Sequence, residues 1–254
     1  MNARTARKEA KPRVPPETVV YAVGDIHGQL TLLERLVDRI QADASRHPSR
    51  RQVLVFVGDY IDRGPESAAV IEHLIRGLPA SFEVHCLMGN HEHALVRFLA
   101  DPSTMPHWLM NGAAATLRSY GVEPVDEEAG ETAFQVCRDA LVSAMPASHR
   151  AFIDSLPLVV EIGDYLFVHA GIRPGVPVAE QSRHDLLWIR EGFLDCDEDL
   201  GRVVVHGHTP EPEPAVRPNR IGIDTGAWVY GCLTALRLEG VEQAFMQVCV
   251  DVGC

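Results

Sequence analysis

The chain has no Cys-x-x-Cys pair, no apolar run approaching the roughly 18 residues that a membrane-spanning helix needs, and a shortage of positive charge. Its six cysteines, Cys86, Cys137, Cys196, Cys232, Cys249 and Cys254, are scattered and no secretory apolar segment precedes them. Reduced thiols in a cytoplasmic protein are therefore expected rather than a disulfide framework. With 23 Lys and Arg against 35 Asp and Glu, the formal net charge is -12. That balance argues against non-specific binding to nucleic acid or to an anionic membrane, both of which need clustered cations. An anionic substrate would have to find its positive charge locally. No linker divides the 254 residues, and at 46% hydrophobic content the chain can bury one large core.

Residues 1–17 are the exception to the acidic balance. They carry Arg4, Arg7, Lys8, Lys11 and Arg13 among Pro12, Pro15 and Pro16, with few apolar side chains. A disordered basic tail is expected there, with a docking arm for acidic partners as the functional alternative. A single folded domain is expected over 18–254.

What the sequence does contain is a repeated unit. The strand-like run Thr18 to Val23 ends in Gly24-Asp25-Ile26-His27-Gly28, and Leu30, Leu33, Val37 and Ile40 follow at helical spacing. The run Val53 to Val57 ends in Gly58-Asp59-Tyr60-Ile61-Asp62-Arg63-Gly64, after which Pro65 opens a helical pattern closed near Gly77. The run Phe82 to Met88 leads into Gly89-Asn90-His91-Glu92 and a helix through Leu95 and Phe98. Three such units predict an α/β layered fold with its loops on one rim. Residues 101–157 break the rhythm and read as a helical insert, either a cap over the site or an inert addition, with Trp108 and Met110 as its core. Strands resume at Leu158 to Ile162 and at Tyr165 to Val168, the latter running into His169-Ala170-Gly171. The run Arg202 to Val205 then leads to His206-Gly207-His208-Thr209-Pro210, and Ile221 to Gly226 makes a further strand end.

Five strand ends thus deliver Asp, His or Asn beside glycine, and glycine lets the backbone turn sharply enough for those side chains to converge. Asp25, His27, Asp59, Asn90, His169 and His208 supply carboxylate, amide oxygen and imidazole without thiolate, a set suited to divalent first-row metals rather than to a structural zinc site. A carboxylate such as Asp59 can bridge two ions, and two ions about 3.5–4 Å apart can clamp a phosphoryl group and acidify a water.

The order and wording of these five motifs resemble the calcineurin-like metallophosphoesterases, and within them the phosphoprotein phosphatases of the bacterial and phage branch. The resemblance covers roughly Val19 to Leu238. It implies an α/β sandwich of two mixed β-sheets flanked by helices, with the metals at the rim. It implies that Asp25, His27 and Asp59 hold one metal and that Asp59, Asn90, His169 and His208 hold the other. Mn²⁺ is the expected ion, with Fe, Zn, Ni or Co as alternatives. His91 matches the family's general acid, and Asp62 matches its carboxylate partner. Arg63 matches the arginine that grips phosphate oxygens, and Asn90 also faces the phosphate. Arg190 is the expected second arginine, with Arg173 as its rival.

The resemblance implies hydrolysis of phosphate monoesters, foremost phosphoserine and phosphothreonine in proteins, by a metal-activated water and without a phosphoenzyme. Its expected partners are therefore phosphorylated proteins or small phosphate esters. The alternative is a symmetrical diadenosine tetraphosphate hydrolase, a related branch that generally lacks the aspartate found here at Asp62. A non-catalytic scaffold derived from the enzyme is a third possibility. Several histidines read more simply: His206 as a strand-end residue, and His85 and His93 as packed or solvated. The superfamily's frequent second histidine, two positions beyond the one matched by His208, is Pro210 here, which favours the phosphoprotein phosphatase arrangement.

Overall fold

The computed structural model describes residues 11–250. Strand β1 (Thr18–Val23) is buried along its whole length, and its alternating side chains serve two different cores. Val19, Tyr21 and Val23 point to a helical layer, while Val20 and Ala22 point to a second sheet. A strand reads as an unbroken apolar run when both of its faces are covered in this way.

Strand β2 (Arg51–Phe56) pairs parallel to β1, and β3 (Glu83–Cys86) pairs parallel to β2. Two later strands, β9 (Cys232–Glu239) and β10 (Glu242–Cys249), complete a sheet of order β10-β9-β1-β2-β3. The second sheet has the order β4-β5-β6-β8-β7, built from β4 (Val159–Ile162), β5 (Tyr165–Val168), β6 (Val203–His206), β7 (Ala215–Val216) and β8 (Arg220–Gly222). Both sheets mix parallel and antiparallel pairs. Val53, Val55 and Leu236 from the first meet Phe167, Val205 and Ile221 from the second in one apolar layer.

Helices cover the outer face of the first sheet. Helix α1 (Leu30–Ala44) buries Leu32, Leu33, Leu36, Val37 and Ile40, the stripe its spacing predicts. Helix α2 (Ser67–Arg76) starts two residues after Pro65 and stops at Gly77, and α3 (Asn90–Ala100) opens within the third motif itself. The insert is helical, formed by α4 (Met105–Met110), α5 (Ala113–Ser119), α6 (Glu131–Ala144) and α7 (Ala147–Ser155). Trp108, Leu117 and Leu141 merge into the same core as Leu54, Ile71 and Phe98, so the insert is an integral layer. Met110, expected in that core, is instead 74% exposed at the end of its short helix. Leu54 lies at the centre of this layer with no exposed surface. Leu54→Ala is expected to lower the unfolding free energy by about 2–5 kcal/mol, measured by urea denaturation.

Two expectations need correction. Of the basic tail predicted over 1–17, residues 1–10 lie outside the described residues, but the stretch from 11 is ordered. Val14 is buried and its N–H donates to the Gly240 carbonyl at 3.0 Å, while the Arg13 carbonyl accepts from Asp164 N–H at 2.9 Å. The cysteines are not all thiols either, since Cys232 and Cys249 form a disulfide. Their separation of 17 residues hides the pairing in the sequence, but the hairpin explains it. β9 and β10 join through a tight turn that sets Glu242 opposite Glu239, and the same register sets Cys249 opposite Cys232. Cys86, Cys137 and Cys196 are free. No helix among the described residues is long and apolar enough to cross a membrane.

Candidate active site

The motif loops leave the strand ends in conformations that side chains ordinarily avoid. Among the described residues only six that are not glycine have positive φ, and five of them are His27, Asp59, Asp62, Arg63 and His208. Each such conformation costs on the order of 1–3 kcal/mol and persists only where the surroundings over-determine it. The surroundings here are tight. A Cβ at Gly207 would stand 1.9 Å from Asp25 Oδ1, and one at Gly89 would stand 2.2 Å from Asp59 Oδ1. The glycines of the motifs are what permits carboxylates and backbone to approach this closely.

Glu92 fixes the central loop. Its buried carboxylate accepts from the N–H groups of Asp59 (3.0 Å), Tyr60 (2.8 Å), Ile61 (3.3 Å) and Gly89 (3.0 Å). Burial, aided by the charge of Asp59, pushes its pKa up to about 7. The third motif contains Glu92, but the motif alone gives it no role. Its place in the first turn of α3, three residues after the N-cap Gly89, is the signal that could have found it.

Asp59 lies between two groups of possible ligands, His27 with His91 on one side and His169 with His208 on the other. Its Oδ2 is 3.6 Å from His27 Nε2 and 3.7 Å from His91 Nε2, while its Oδ1 is 3.4 Å from His169 Nε2. Burial opposes the charge on Asp59, but the imidazoles of His169, His91, His27 and His208 outweigh it and hold the carboxyl below its ordinary range. Burial lowers the pKa of His27, His169 and His208, leaving neutral rings with lone pairs.

The donor set fits cations. His169 Nδ1 donates to the Val57 carbonyl at 2.9 Å, which fixes the tautomer and leaves Nε2 an acceptor. That acceptor lies 2.7 Å from another, Asn90 Oδ1, which is also 2.8 Å from His208 Nδ1. A positive ion reconciles lone pairs that otherwise face one another. His27 Nδ1 likewise donates to the Ile61 carbonyl at 2.9 Å, which leaves Nε2 an acceptor, facing the Arg63 guanidinium at 3.0 Å. Asp25 Oδ1, His91 Nε2 and His208 Nε2 are buried without a hydrogen-bond partner. Asp25 belongs to neither three-residue group; its other oxygen accepts from the His208 N–H at 2.9 Å. Asp224, at the strand end after β8, adds a carboxylate to which sequence reasoning gave no role. Burial raises its pKa to about 6, and burial, with the charge of Asp224 added, raises that of Asp25.

His91 and Asp62 form a buried pair, with Nδ1 2.8 Å from Oδ2. Burial disfavours a charged ring, yet the carboxylates of Asp59 and Asp62 outweigh it and raise the His91 pKa. Asp62 is gripped in turn by the insert: Trp108 Nε1 donates to Oδ2 at 2.9 Å and Thr116 Oγ1 to Oδ1 at 2.5 Å. Sequence reasoning took Trp108 for simple core and missed Thr116, because nothing local marks a residue 54 positions from its partner.

Arg63 lies at the surface of the site, its guanidinium 3.0 Å from His27 Nε2 and over the Trp228 ring. Arg190 donates to the His208 carbonyl at 3.1 Å and so stands beside the second ligand group. Arg173 is bound bidentately by Asp185 at 2.7 and 3.0 Å, an ion pair that occupies its fork. The histidines read as structural lie outside both ligand groups: His206 contacts the Gly207 carbonyl at 3.0 Å, His85 pairs with Glu83 at 2.9 Å, and His93 is partly buried on α3.

A donor set that shares Asp59 between its halves and has two arginines beside it suits a phosphate ester held on metal ions, and the comparisons agree. The calcineurin-like phosphoesterase profile matches residues 18–231, and the chain belongs to that family. Among curated relatives it is similar to the bis(5'-nucleosyl)-tetraphosphatase PrpE [asymmetrical] of Bacillus thuringiensis (strain Al Hakam), at 29% identity over 240 residues, covering 87% of this chain and 90% of that one. The protein of the same name from Anoxybacillus flavithermus (strain DSM 21510 / WK1) is 28% identical over 241 residues, with the same coverage. Among solved structures, a protein provisionally named a diadenosine tetraphosphatase matches with a TM-score of 0.62 at 22% identity, over 96% of this chain and 100% of that one. A cold-active protein tyrosine phosphatase matches with a TM-score of 0.56 at 17% identity, over 92% of this chain and 81% of that one. The structural likenesses establish the sandwich of two mixed sheets flanked by helices.

Proposed function

We propose that the chain hydrolyses the phosphoanhydride of bis(5'-nucleosyl) tetraphosphates, cutting them unequally into a nucleoside triphosphate and a nucleoside monophosphate. The observation that carries this reading is the name shared by relatives that match over 87% of the chain. It takes the substrate class of the alternative raised from the sequence above the protein phosphatase reading, and it differs from that alternative in the position of the cut.

In this reading Asp25, His27 and Asp59 would hold one divalent cation, and Asp59, Asn90, His169 and His208 a second. Bound there, the ions would supply charge neutralisation at phosphorus and an acidified water. The protein's own groups do the rest. Arg63 and Arg190 bind the phosphate oxygens, for which a planar fork of donors suits better than an ammonium group, and Asn90 meets the phosphate beside His169 and His208. His91 gives its Nε2 proton to the departing oxygen, while Asp62 keeps the other ring nitrogen engaged and the ring charged.

A second reading is supported by the His91–Asp62 pair. Phosphate leaving from an anhydride needs little protonation, whereas serine or threonine alkoxide needs a donor that is protonated when it departs, and a buried imidazole held charged by two carboxylates is such a donor. Phosphoserine and phosphothreonine hydrolysis is therefore the reading to test against the first. After removal of metal with chelator and addition of Mn²⁺, the protein is given diadenosine tetraphosphate, a phosphoserine/phosphothreonine peptide and an aryl phosphate. The expected result is release of ATP and AMP from the dinucleotide, with kcat/KM at least about tenfold above that for the peptide, a gap of roughly 1.4 kcal/mol. Two molecules of ADP would overturn the unequal cut, and preference for the peptide would replace the reading with the second.

A further inference from the structure

Beside the candidate site, the loop 227–231 exposes three consecutive large apolar side chains: Trp228 at 40%, Val229 at 39% and Tyr230 at 44%. Exposed aromatic surface of this kind, next to a site for an anionic ligand, marks a contact surface rather than a packing residue. The loop is built to hold it. Gly226 adopts a φ of +64°, its carbonyl accepts from the N–H groups of Val229 (3.0 Å) and Tyr230 (2.7 Å), and its own N–H donates to Asp224 Oδ1 at 2.9 Å. A Cβ at that position would meet the Tyr230 ring at 2.5 Å. At its other end the loop is tied by the Cys232–Cys249 disulfide and by Val250 N–H donating to the Gly231 carbonyl at 2.9 Å.

The position of Trp228 gives this surface a ligand. Its ring centroid is 6.5 Å from that of His27, and the Arg63 guanidinium carbon lies 4.8 Å from its centroid. A phosphate that meets Arg63 therefore sits within a nucleoside's reach of the indole. The other tryptophan at the rim, Trp188, packs between the rings of His107 (5.7 Å) and His208 (6.0 Å) and belongs to the wall.

We propose that Trp228, with Tyr230 beside it, is a nucleobase platform: a 5'-nucleotide moiety of the substrate stacks its base on the indole while its phosphate meets Arg63. This rests on the dinucleotide reading above and deepens it by assigning the residue that recognises the base. Stacking on a fixed aromatic face tolerates any base, so the platform selects nucleotides over other phosphates without selecting among nucleotides.

The test is calorimetric titration of the full chain, loaded with Mn²⁺, with AMP and with ribose 5-phosphate, which shares the phosphate and lacks the base. The expected result is AMP binding tighter by on the order of tenfold, as one base–aromatic stack gives. Trp228→Ala should bring AMP to the ribose 5-phosphate level, and Trp228→Phe should keep most of the preference. Equal affinities in the unsubstituted protein would overturn the platform. So would an equal weakening of both ligands by Trp228→Ala, because that outcome makes Trp228 a positioning residue for Arg63. Hydrolysis of diadenosine tetraphosphate by the same preparation separates the two levels. No hydrolysis with the AMP preference retained sinks the dinucleotide reading and leaves the platform, while hydrolysis without the preference sinks the platform alone.

Discussion

His91→Asn is expected to lower kcat on a phosphoserine peptide by about 10²–10⁴ and to leave the metal content of the protein unchanged. The reason lies in what the ring touches. Nδ1 is engaged by Asp62 at 2.8 Å, and Nε2 is buried without a partner. Asparagine keeps a polar group in that space and removes the proton donor. The loss should shrink as the leaving group improves, and with an aryl phosphate or a phosphoanhydride it should be at the lower end of that range or below it. Steady-state kinetics on all three substrates, with metal analysis of the same samples, checks this. A loss of metal together with activity would instead make His91 a ligand, a role open to it because its Nε2 lies 3.7 Å from Asp59 Oδ2. An equal loss on all three substrates with metal intact would remove the acid role.

Asp59→Asn has the larger expected effect: loss of metal from both halves of the site and a fall in kcat/KM of at least about 10³ on every substrate. Asparagine is nearly the same size and keeps one oxygen, so the fold should survive, as circular dichroism would report. What is lost is charge and one of two acceptor atoms. Asp59 Oδ2 faces His27 and His91, and Oδ1 faces His169. No other side chain at the site belongs to both ligand groups. Retention of metal by Asp59→Asn, with activity within tenfold of the parent, would contradict the central place given to this carboxylate.

The loops that converge at the candidate site were legible in the sequence because each stands at the end of an apolar run and is bracketed by glycine. Asp25, His27, Asp59, Asn90, His169 and His208 follow from that pattern, since the fold needs glycine wherever a carboxylate and a backbone meet within van der Waals distance, as at Gly89 and Gly207. The strand-loop-helix repeats were legible for the same reason, through spacing alone. What stayed hidden depends on contacts between distant segments. Trp108 and Thr116 hold Asp62 from an insert whose sequence suggests helices but not which loop they pack on, and Trp108 reads as core because it is core as well as a donor. The Cys232–Cys249 pair depends on the register of a hairpin, which a tight turn at Gly240 determines but which spacing between cysteines does not reveal. The ordering of Val14 rests on its contact with Gly240, far along the chain. Trp228 was hidden for the same reason, because it belongs to no motif and only the fold brings it beside His27 and Arg63.

The central claim is that one carboxylate, Asp59, organises a site for two divalent cations, and anomalous diffraction from crystals grown with Mn²⁺ tests it most directly. The account predicts two manganese peaks about 3.5–4 Å apart, both in contact with Asp59. One peak should also touch His27 and Asp25, and the other Asn90, His169 and His208. A single peak, or two peaks of which one does not touch Asp59, would contradict it.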